Sequence, residues 1–260
     1  MYQKIREPVE NDFHEVNKFI VEQLHSEVSL VESIGHYIVE AGGKRMRPIL
    51  VLLAARGNGI ENDLHIPMAA VIEFIHTATL LHDDVVDMSE LRRGRPTVNA
   101  EWNNPSSVLV GDFIYSRAFQ VLVQIADMRI MEIIANTTNR IAEGEVLQLI
   151  EKSNPQTSEE NYMRVITNKT AILFQAAAQC GAILSKSDSE IEEALRSFGM
   201  QLGLAFQLID DVLDYSGTAD ELGKNVGDDL SEGKSTLPLI YASKNGSTAQ
   251  RKAILESLNA

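Results

Sequence analysis

The chain has 260 residues, a formal net charge of −14, and 44% hydrophobic against 23% charged residues. This length is enough for a substantial core, and the acidic balance argues against nucleic acid and anionic membrane surfaces as partners. A single cysteine, Cys180, excludes an intramolecular disulfide and indicates a buried packing thiol in a reducing compartment. The N-terminus has no apolar signal region and no window reaches a membrane-spanning run, so we predict a cytoplasmic protein without a membrane span.

Helical periodicity dominates the chain from end to end. Pro48 and Pro67 stand at helix-start positions, and two capping-box patterns begin at Thr157 and Ser187. We predict helices over 9–39, 48–55, from 67 into the first acidic motif, and over 106–123, 129–150, 161–184 and 191–215, then a polar loop over 217–234 and a short helix from 237.

Alternating β patterns, short fixed repeats and Pro- or Ser-rich linkers are absent from the sequence. We therefore predict one all-α domain over 1–260, built as a helical bundle. Two acidic motifs lie near the C-terminal ends of their helices, so these helices are expected to face one another across a deep central cavity.

Both acidic motifs have the pattern Asp-Asp-x-x-Asp; they consist of Asp83, Asp84, Asp87 and of Asp210, Asp211, Asp214. On a helix, the first and last carboxylates of each motif stand one above the other, and three such charges repel one another. Mg²⁺ suits such a set, because it is held by a few carboxylates while substrate phosphates complete its octahedron. The alternative is a solvated acidic patch, but the flanking residues are apolar where a solvated face is polar. The pair of motifs predicts a metal-bridged polyphosphate site.

Basic residues cluster near these motifs despite the acidic total; they are Lys44, Arg45, Arg47, Arg92, Arg93, Arg95, Lys169, Lys224 and Lys234. Arginine forks and lysine point charges both suit phosphate. Arg45 and Arg95 are equally compatible with ordinary surface charges. His76 lies two helical turns before Asp83 on the same side, and a satisfied core histidine is the rival interpretation.

Four segments together resemble the trans-isoprenyl diphosphate synthases, with the bacterial long-chain members nearest: HTATLLHDDVVD, SVLVGDFIYSRAFQ, IAEGEVLQL and GKNVGDDLSEGK. The resemblance runs from about residue 37 to 242. It implies an isoprenoid-synthase-type bundle around a deep cavity and a homodimer. It also implies up to three Mg²⁺ ions, with isopentenyl diphosphate and an allylic diphosphate as substrates. The reaction is successive head-to-tail condensation, giving side chains for quinones such as ubiquinone.

The resemblance also implies a role for each matching residue. The six motif aspartates bind the metal, and Lys169 and Thr170 lie near the reacting carbons. The allylic diphosphate is contacted by Arg92, Lys169, Gln207, Lys224 and Lys234, and isopentenyl diphosphate by Lys44, Arg47, His76 and Arg93. Asp228 and Asp229 match a supporting acidic pair.

Product length is expected to depend on side chains below the first motif. Ala78 and Thr79 lie one turn deeper than Asp83, and an aromatic residue there blocks growth in this family. Both are small, which predicts an open tunnel and a C40 (octaprenyl) product, with C35 or C45 as neighbours. Simple helix packing is the other explanation for Ala78. Deeper candidates for the stop are Phe74, Phe119, Val123 and Leu147.

Several related functions share part of this pattern. A terpene cyclase carries an Asn-x-x-x-Ser-x-x-x-Glu second metal site, and a head-to-head condensing enzyme carries Asp-x-x-x-Asp motifs. A shorter-chain synthase (C15–C20) or a non-catalytic synthase subunit remain the alternatives. Family members continue through further helices beyond the position of Ala260, so we expect a domain lacking those C-terminal helices.

Overall fold

A computed structural model describes residues 2–152, 154, 156–217 and 227–258. The all-α prediction is confirmed, since the described residues form helices joined by short connections and one small hairpin. The helices are α1 (Tyr2–Arg6), α2 (Glu10–Gln23), α3 (Ser29–Glu40), α4 (Met46–Gly57), α5 (His65–Val86), α6 (Val98–Glu101), α7 (Asn104–Ile125), α8 (Met128–Glu151), α9 (Glu159–Ile166), α10 (Ile172–Leu184), α11 (Ser189–Ser216), α12 (Asp228–Ser231), α13 (Leu237–Asn245) and α14 (Thr248–Leu258).

Three short elements complete the fold. A 3-10 turn, Glu7–Val9, precedes α2, and a π-helical turn, Thr167–Ala171, separates α9 from α10. The antiparallel hairpin pairs β1 (Leu91–Arg92) with β2 (Arg95–Pro96). No sequence pattern marks these strands, because each is only two residues long.

The chain divides into two compact units. Unit 1 comprises Met1–Asn136 with Leu173–Gly199, and unit 2 comprises Thr137–Ile172 with Met200–Ala260. The first acidic motif belongs to unit 1 and the second to unit 2.

Helix α5 is the core of unit 1. Its residues from Met68 to Ile75 are all buried, as expected for a helix that is apolar on every side. It packs against α2, α4 and α7. Toward the C-terminal end of α5 the burial becomes partial, so the acidic motif there contains both buried Asp84 and the partly exposed Asp83 and Asp87.

The predicted helix starts needed correction. Helix α5 begins at His65, so Pro67 lies within the first turn, where its missing N–H is not required. Ser158 rather than Thr157 caps α9, since its side chain accepts from the Asn161 N–H. Asp188 rather than Ser187 accepts from the first turn of α11. In both cases the capping oxygen comes one residue later than the sequence pattern placed it.

Helix α7 is long and apolar enough to cross a membrane by length and composition alone. Core helices of water-soluble proteins meet the same criterion. Within unit 1, α7 packs along α5, and residues such as Val110, Ile114 and Val121 are buried. One side of α7 therefore belongs to the core of unit 1.

Candidate active site

The first motif divides into two kinds of carboxylate. The Asp87 N–H donates to the Asp83 carbonyl over 2.8 Å, so the α-helical turn continues through the motif and both residues lie on one partly exposed side. Asp84 is only 3% exposed, and its Oδ1 accepts from Arg92 Nε and Nη2 at 2.9 and 2.7 Å. Burial raises the pKa of Asp84, although the Arg92 hydrogen bond opposes the shift. Asp84 therefore anchors Arg92, whereas Asp83 and Asp87 are partly exposed.

The turn of the hairpin directs the side chains of Arg92 and Arg93 to different partners. Arg93 and Gly94 both have positive φ, at 54° and 73°, which is the type I′ turn that a two-residue hairpin prefers. Burial acts to lower the pKa of Arg92, but Asp84 and the charges of Asp83 and Asp87 outweigh it and raise the pKa. Arg93 instead donates through Nη1 to the Gly42 carbonyl. Adjacent arginines thus serve two different clusters.

The loop before α4 has an unusual backbone. Gly42, Gly43 and Arg45 all have positive φ, at 65°, 139° and 44°. A Cβ at Gly43 would lie 2.6 Å from Arg93 Nη1, so the guanidinium needs a glycine beneath it. Arg45 pairs with buried Glu73 at 3.7 Å and its side chain is 9% exposed, so the surface-charge interpretation of Arg45 was wrong.

Arg47 and His76 form the inner part of this cluster. Arg47 Nη1 lies 3.2 Å from His76 Nε2, and its guanidinium stacks over the Phe174 ring at 4.3 Å from the centroid. Burial, reinforced by the charge of Arg47 and Arg93, holds the pKa of His76 well below its usual range. A neutral His76 that accepts from Arg47 keeps its Nδ1–H for another acceptor. Lys44 is exposed in the same loop. Unit 1 therefore places Arg47 beside His76, and the loop before α4 contributes both Lys44 and the Gly42 carbonyl that accepts from Arg93.

The second motif, in unit 2, has two buried aspartates where the first motif has one. Asp211 is 3% exposed, and its two oxygens accept from Tyr162 Oη at 2.6 Å and from Gln207 Nε2 at 2.7 Å. Asp214 is fully buried, and its Oδ2 accepts from the Asp229 N–H at 3.2 Å. Asp210 is partly exposed. The protein therefore holds Asp211 and Asp214 with its own donors, and only Asp210 of this motif is partly exposed.

The π turn places Lys169 and Thr170 on one side of unit 2. Lys169 Nζ lies 2.7 Å from Glu145 Oε2, and Thr170 Oγ1 donates to Gln207 Oε1 at 2.8 Å. Two glycines allow neighbouring helices to approach this turn. A Cβ at Gly203 would lie 2.6 Å from Ala171 Cα, and a Cβ at Gly144 would lie 2.9 Å from the backbone nitrogen of Lys169. π-helical turns are rare and frequently occur at functional sites.

The remaining predicted binding residues follow α11 in the sequence. Lys224 lies outside the described residues. Lys234 Nζ pairs with Glu232 at 2.6 Å, and its N–H donates to the Asp229 carbonyl. Asp228 and Asp229 start α12.

The predicted tunnel residues differ in environment. Ala78 and Phe74 are buried on α5, at 0% and 2% exposure, and Thr79 donates its hydroxyl to the His76 carbonyl at 2.8 Å. Val123 is 67% exposed on the outer side of α7, which removes it from any interior wall of unit 1. Phe119 in unit 1 and Leu147 in unit 2 are half-buried.

Three residues that contact predicted site residues were missed by sequence reasoning. Tyr162 bonds Asp211, Glu145 pairs with Lys169, and Glu73 pairs with Arg45. Their partners lie far away in the sequence, so no local pattern marks them. Only Glu73 offered a sequence signal, because it is a single charged residue within the apolar run MAAVIEFI.

The polyprenyl synthetase family model matches residues 28–260. The chain belongs to this family. It is 54% identical over 252 residues to octaprenyl diphosphate synthase of Escherichia coli, covering 97% of this chain and 78% of that protein. It is 52% identical over 257 residues to a geranyl-diphosphate-specific all-trans-nonaprenyl-diphosphate synthase of Rhodobacter capsulatus, with 98% and 79% covered.

A solved polyprenyl synthase from Caulobacter crescentus, complexed with calcium and isoprenyl diphosphate, matches the fold of this polyprenyl synthetase at a TM-score of 0.91. That match has 42% identity and covers 100% of this chain and 84% of the other. The chain is accordingly a prenyltransferase of the trans-prenyl diphosphate synthase class. Its relatives bear names of different product lengths, so the family alone does not set the length for this chain.

Proposed function

We propose that this polyprenyl synthetase condenses isopentenyl diphosphate head-to-tail onto an allylic diphosphate, farnesyl or similar, in successive Mg²⁺-dependent steps. The product is a long chain, C40, that serves as a quinone side chain. The observation that carries the proposal is the environment of Arg92. Its guanidinium is anchored by Asp84 beside the partly exposed pair Asp83 and Asp87.

The carboxylates fit a hard divalent cation. No three side chains of His, Cys, Asp or Glu in the described part of the chain converge as a complete metal site. Mg²⁺ typically takes one or two carboxylates and completes its octahedron with water and substrate phosphate, so partly exposed pairs suit it. Asp83, Asp87 and Asp210 are the ligands we propose, with Asp84 and Asp211 as positioning residues. When bound, Mg²⁺ supplies electrostatic stabilisation for charge on the departing diphosphate.

Basic residues of the chain also stabilise charge on the departing diphosphate. Arg92 and Lys169 offer donors to the allylic diphosphate, and Gln207 and Thr170 form a hydrogen-bonded pair beside Lys169. Charge that develops on the leaving diphosphate strengthens these interactions, so they favour breakage of the allylic C–O bond. The double bond of isopentenyl diphosphate then attacks the allylic cation, a C–C bond forms, and a proton leaves to the released diphosphate. No side-chain nucleophile takes part, in keeping with the full burial of Cys180, which raises the pKa of its thiol.

The second substrate has its own cluster in unit 1. Arg47 and Arg93 carry permanent charge, and neutral His76 adds a donor at Nδ1. Together with Lys44 they match the charge and hydrogen-bonding capacity of a diphosphate. We assign isopentenyl diphosphate to this cluster.

The length of the product follows from the small residue below the first motif. Ala78 is fully buried, so a larger side chain there must displace its neighbours. We propose that the growing chain passes the small side chain of Ala78 and that product length reaches C40. An Ala78→Phe variant should make shorter products while it retains the reaction.

Homodimerisation is part of the proposal. Leu109 and Val123 are 65% and 67% exposed on α7 and lie fourteen residues apart, which places them on one side of the helix. Exposed apolar residues on a long helix favour burial against a second copy. The resemblance to a dimeric family points to the same arrangement.

The test is incubation with farnesyl diphosphate, labelled isopentenyl diphosphate and Mg²⁺, with and without chelator, followed by product sizing. Chelator-sensitive products near C40 are expected, and Ala78→Phe should shift them shorter. Products that stop at C20 in the wild type would contradict the length, and no incorporation by folded protein would contradict the function.

A further inference from the structure

Glu73 is a buried carboxylate one helical turn before His76 on α5. It is 7% exposed, and Oε2 has no hydrogen-bond partner among the described residues. A buried carboxylate is costly unless nearby positive charge offsets the loss of water. Here the charge comes from Arg45, Arg47 and Arg93, although burial still raises the pKa of Glu73.

Arg45 is the residue that Glu73 holds directly. Arg45 Nε lies 3.7 Å from Glu73 Oε1, and Arg45 Nη1 donates to Asn17 Oδ1. Arg45 has φ 44° and ψ 45°, the left-handed conformation, immediately before α4 begins. That conformation is unfavourable for a residue with a Cβ, so contacts of the side chain must maintain it.

The conformation of Arg45 matters because of its neighbours in the loop. Lys44 precedes it, and Arg47 follows two residues later in the first turn of α4. A change of φ and ψ at Arg45 would swing the preceding residues relative to α4. The same loop supplies the Gly42 carbonyl that accepts from Arg93.

We propose that Glu73 is a positioning residue for the isopentenyl diphosphate cluster. It holds Arg45 in the left-handed conformation and thereby fixes Lys44 and the Gly42 acceptor of Arg93 relative to Arg47. The proposal rests on the assignment of isopentenyl diphosphate to this cluster.

Glu73 does not itself touch the substrate. It lines a cavity of about 30 Å³ with Arg45 and Arg93, which has room for a water molecule and not for a diphosphate. Its influence therefore passes through the arginines. Removal of the Glu73 charge should therefore weaken the binding of isopentenyl diphosphate and leave the binding of the allylic diphosphate largely unchanged.

The first variant is Glu73→Gln, which keeps the shape of the side chain and removes its charge. We expect KM for isopentenyl diphosphate to rise roughly tenfold or more, with kcat and the KM for farnesyl diphosphate changed less than about twofold. Calorimetric titration of isopentenyl diphosphate should show the same loss of affinity without turnover.

The second variant separates positioning from general damage. Glycine adopts the left-handed conformation without strain, so Arg45→Gly makes the Glu73 contact unnecessary. The double variant Glu73→Gln with Arg45→Gly should recover most of the affinity for isopentenyl diphosphate. The matched control, Asp12→Asn, removes a carboxylate from a different arginine pair in unit 1 and should lower stability without changing that KM.

Three outcomes would overturn the inference: an unchanged KM for isopentenyl diphosphate in folded Glu73→Gln, an equal rise in both KM values, or failure of Arg45→Gly to restore affinity. A wild-type chain that neither elongates nor binds isopentenyl diphosphate would instead contradict the proposed function. The two failures are thus distinguishable.

Discussion

The middle aspartate of each motif is held by donors from the protein. Arg92 bonds Asp84, and Tyr162 and Gln207 bond Asp211. A carboxylate whose oxygens already accept short hydrogen bonds is costly to redirect toward a metal, because its donors would lose their partner. We therefore interpret the middle aspartate of each motif as an internal anchor and the partly exposed aspartates as the candidate ligands.

Tyr162→Phe tests this anchoring in unit 2. The substitution removes one donor from buried Asp211, so the free energy of unfolding should fall by about 1–3 kcal/mol. Urea denaturation measures the change. Tyr241→Phe is the matched control, because Tyr241 is 68% exposed and should change stability by less than about 0.5 kcal/mol. Equal effects of the two variants would refute the anchor.

The two aspartate motifs could be recognised as a candidate site from the sequence, and the binding residues were assigned through the family resemblance. Clustered like charges inside apolar helices indicate an external cation, and this logic needs no tertiary structure. The residues that support them were not predictable. Tyr162 meets Asp211, and Glu145 meets Lys169, only because distant helices pack together.

At the scale of elements, helical periodicity located the main helices but not their interruptions. The π turn at Thr167–Ala171 has ordinary helix-compatible residues, so periodicity predicted one continuous helix. Its position is fixed by close packing at Gly144 and Gly203. The hairpin has a recognisable Arg-Gly turn only after its two short strands are known.

Gly203→Ala tests the packing of the π turn. The added methyl would lie 2.6 Å from Ala171 Cα, which is backbone and cannot move aside cheaply. We expect a loss of about 1–3 kcal/mol in stability, measured by urea denaturation, and slower elongation as Thr170 shifts. Gly57→Ala is the control, since no atom lies within 4 Å of its added Cβ. A neutral Gly203→Ala would contradict the close-packing account.

The contact between α2 and α4 predicts a pH dependence. The Arg56 hydrogen bonds hold the pKa of Asp12 below its usual range. A lowered folded pKa stabilises the protein above the unfolded value, about 3.9, and that stability is lost as pH falls through the folded pKa. Asp12→Asn should therefore be less stable than wild type at pH 7, with the gap closing below about pH 4. Denaturant midpoints across pH 2–7 measure this, and a constant gap would exclude the linkage.

At the scale of the whole molecule, we predict a homodimer through the outer side of α7. Light scattering should give twice the 28.8 kDa chain mass for the wild type. Leu109→Glu should give the single-chain mass, because burying a charge in an apolar interface is unfavourable. Val28→Glu, at a position 58% exposed before α3, should leave the dimer intact. A wild-type monomer, or a dimer unaffected by Leu109→Glu, would contradict this interface.

The central claim is that Asp83 presents its carboxylate to metal and Asp84 anchors Arg92. The most direct measurement compares Asp83→Asn with Asp84→Asn in elongation rate across a Mg²⁺ titration and in urea denaturation. The account predicts that Asp83→Asn lowers kcat/KM by about a hundredfold or more, raises the Mg²⁺ requirement and leaves stability unchanged. Asp84→Asn should instead lower stability by about 1–3 kcal/mol with little change in the Mg²⁺ requirement. The reverse pattern, with Asp84 controlling the metal and Asp83 the stability, would contradict the account.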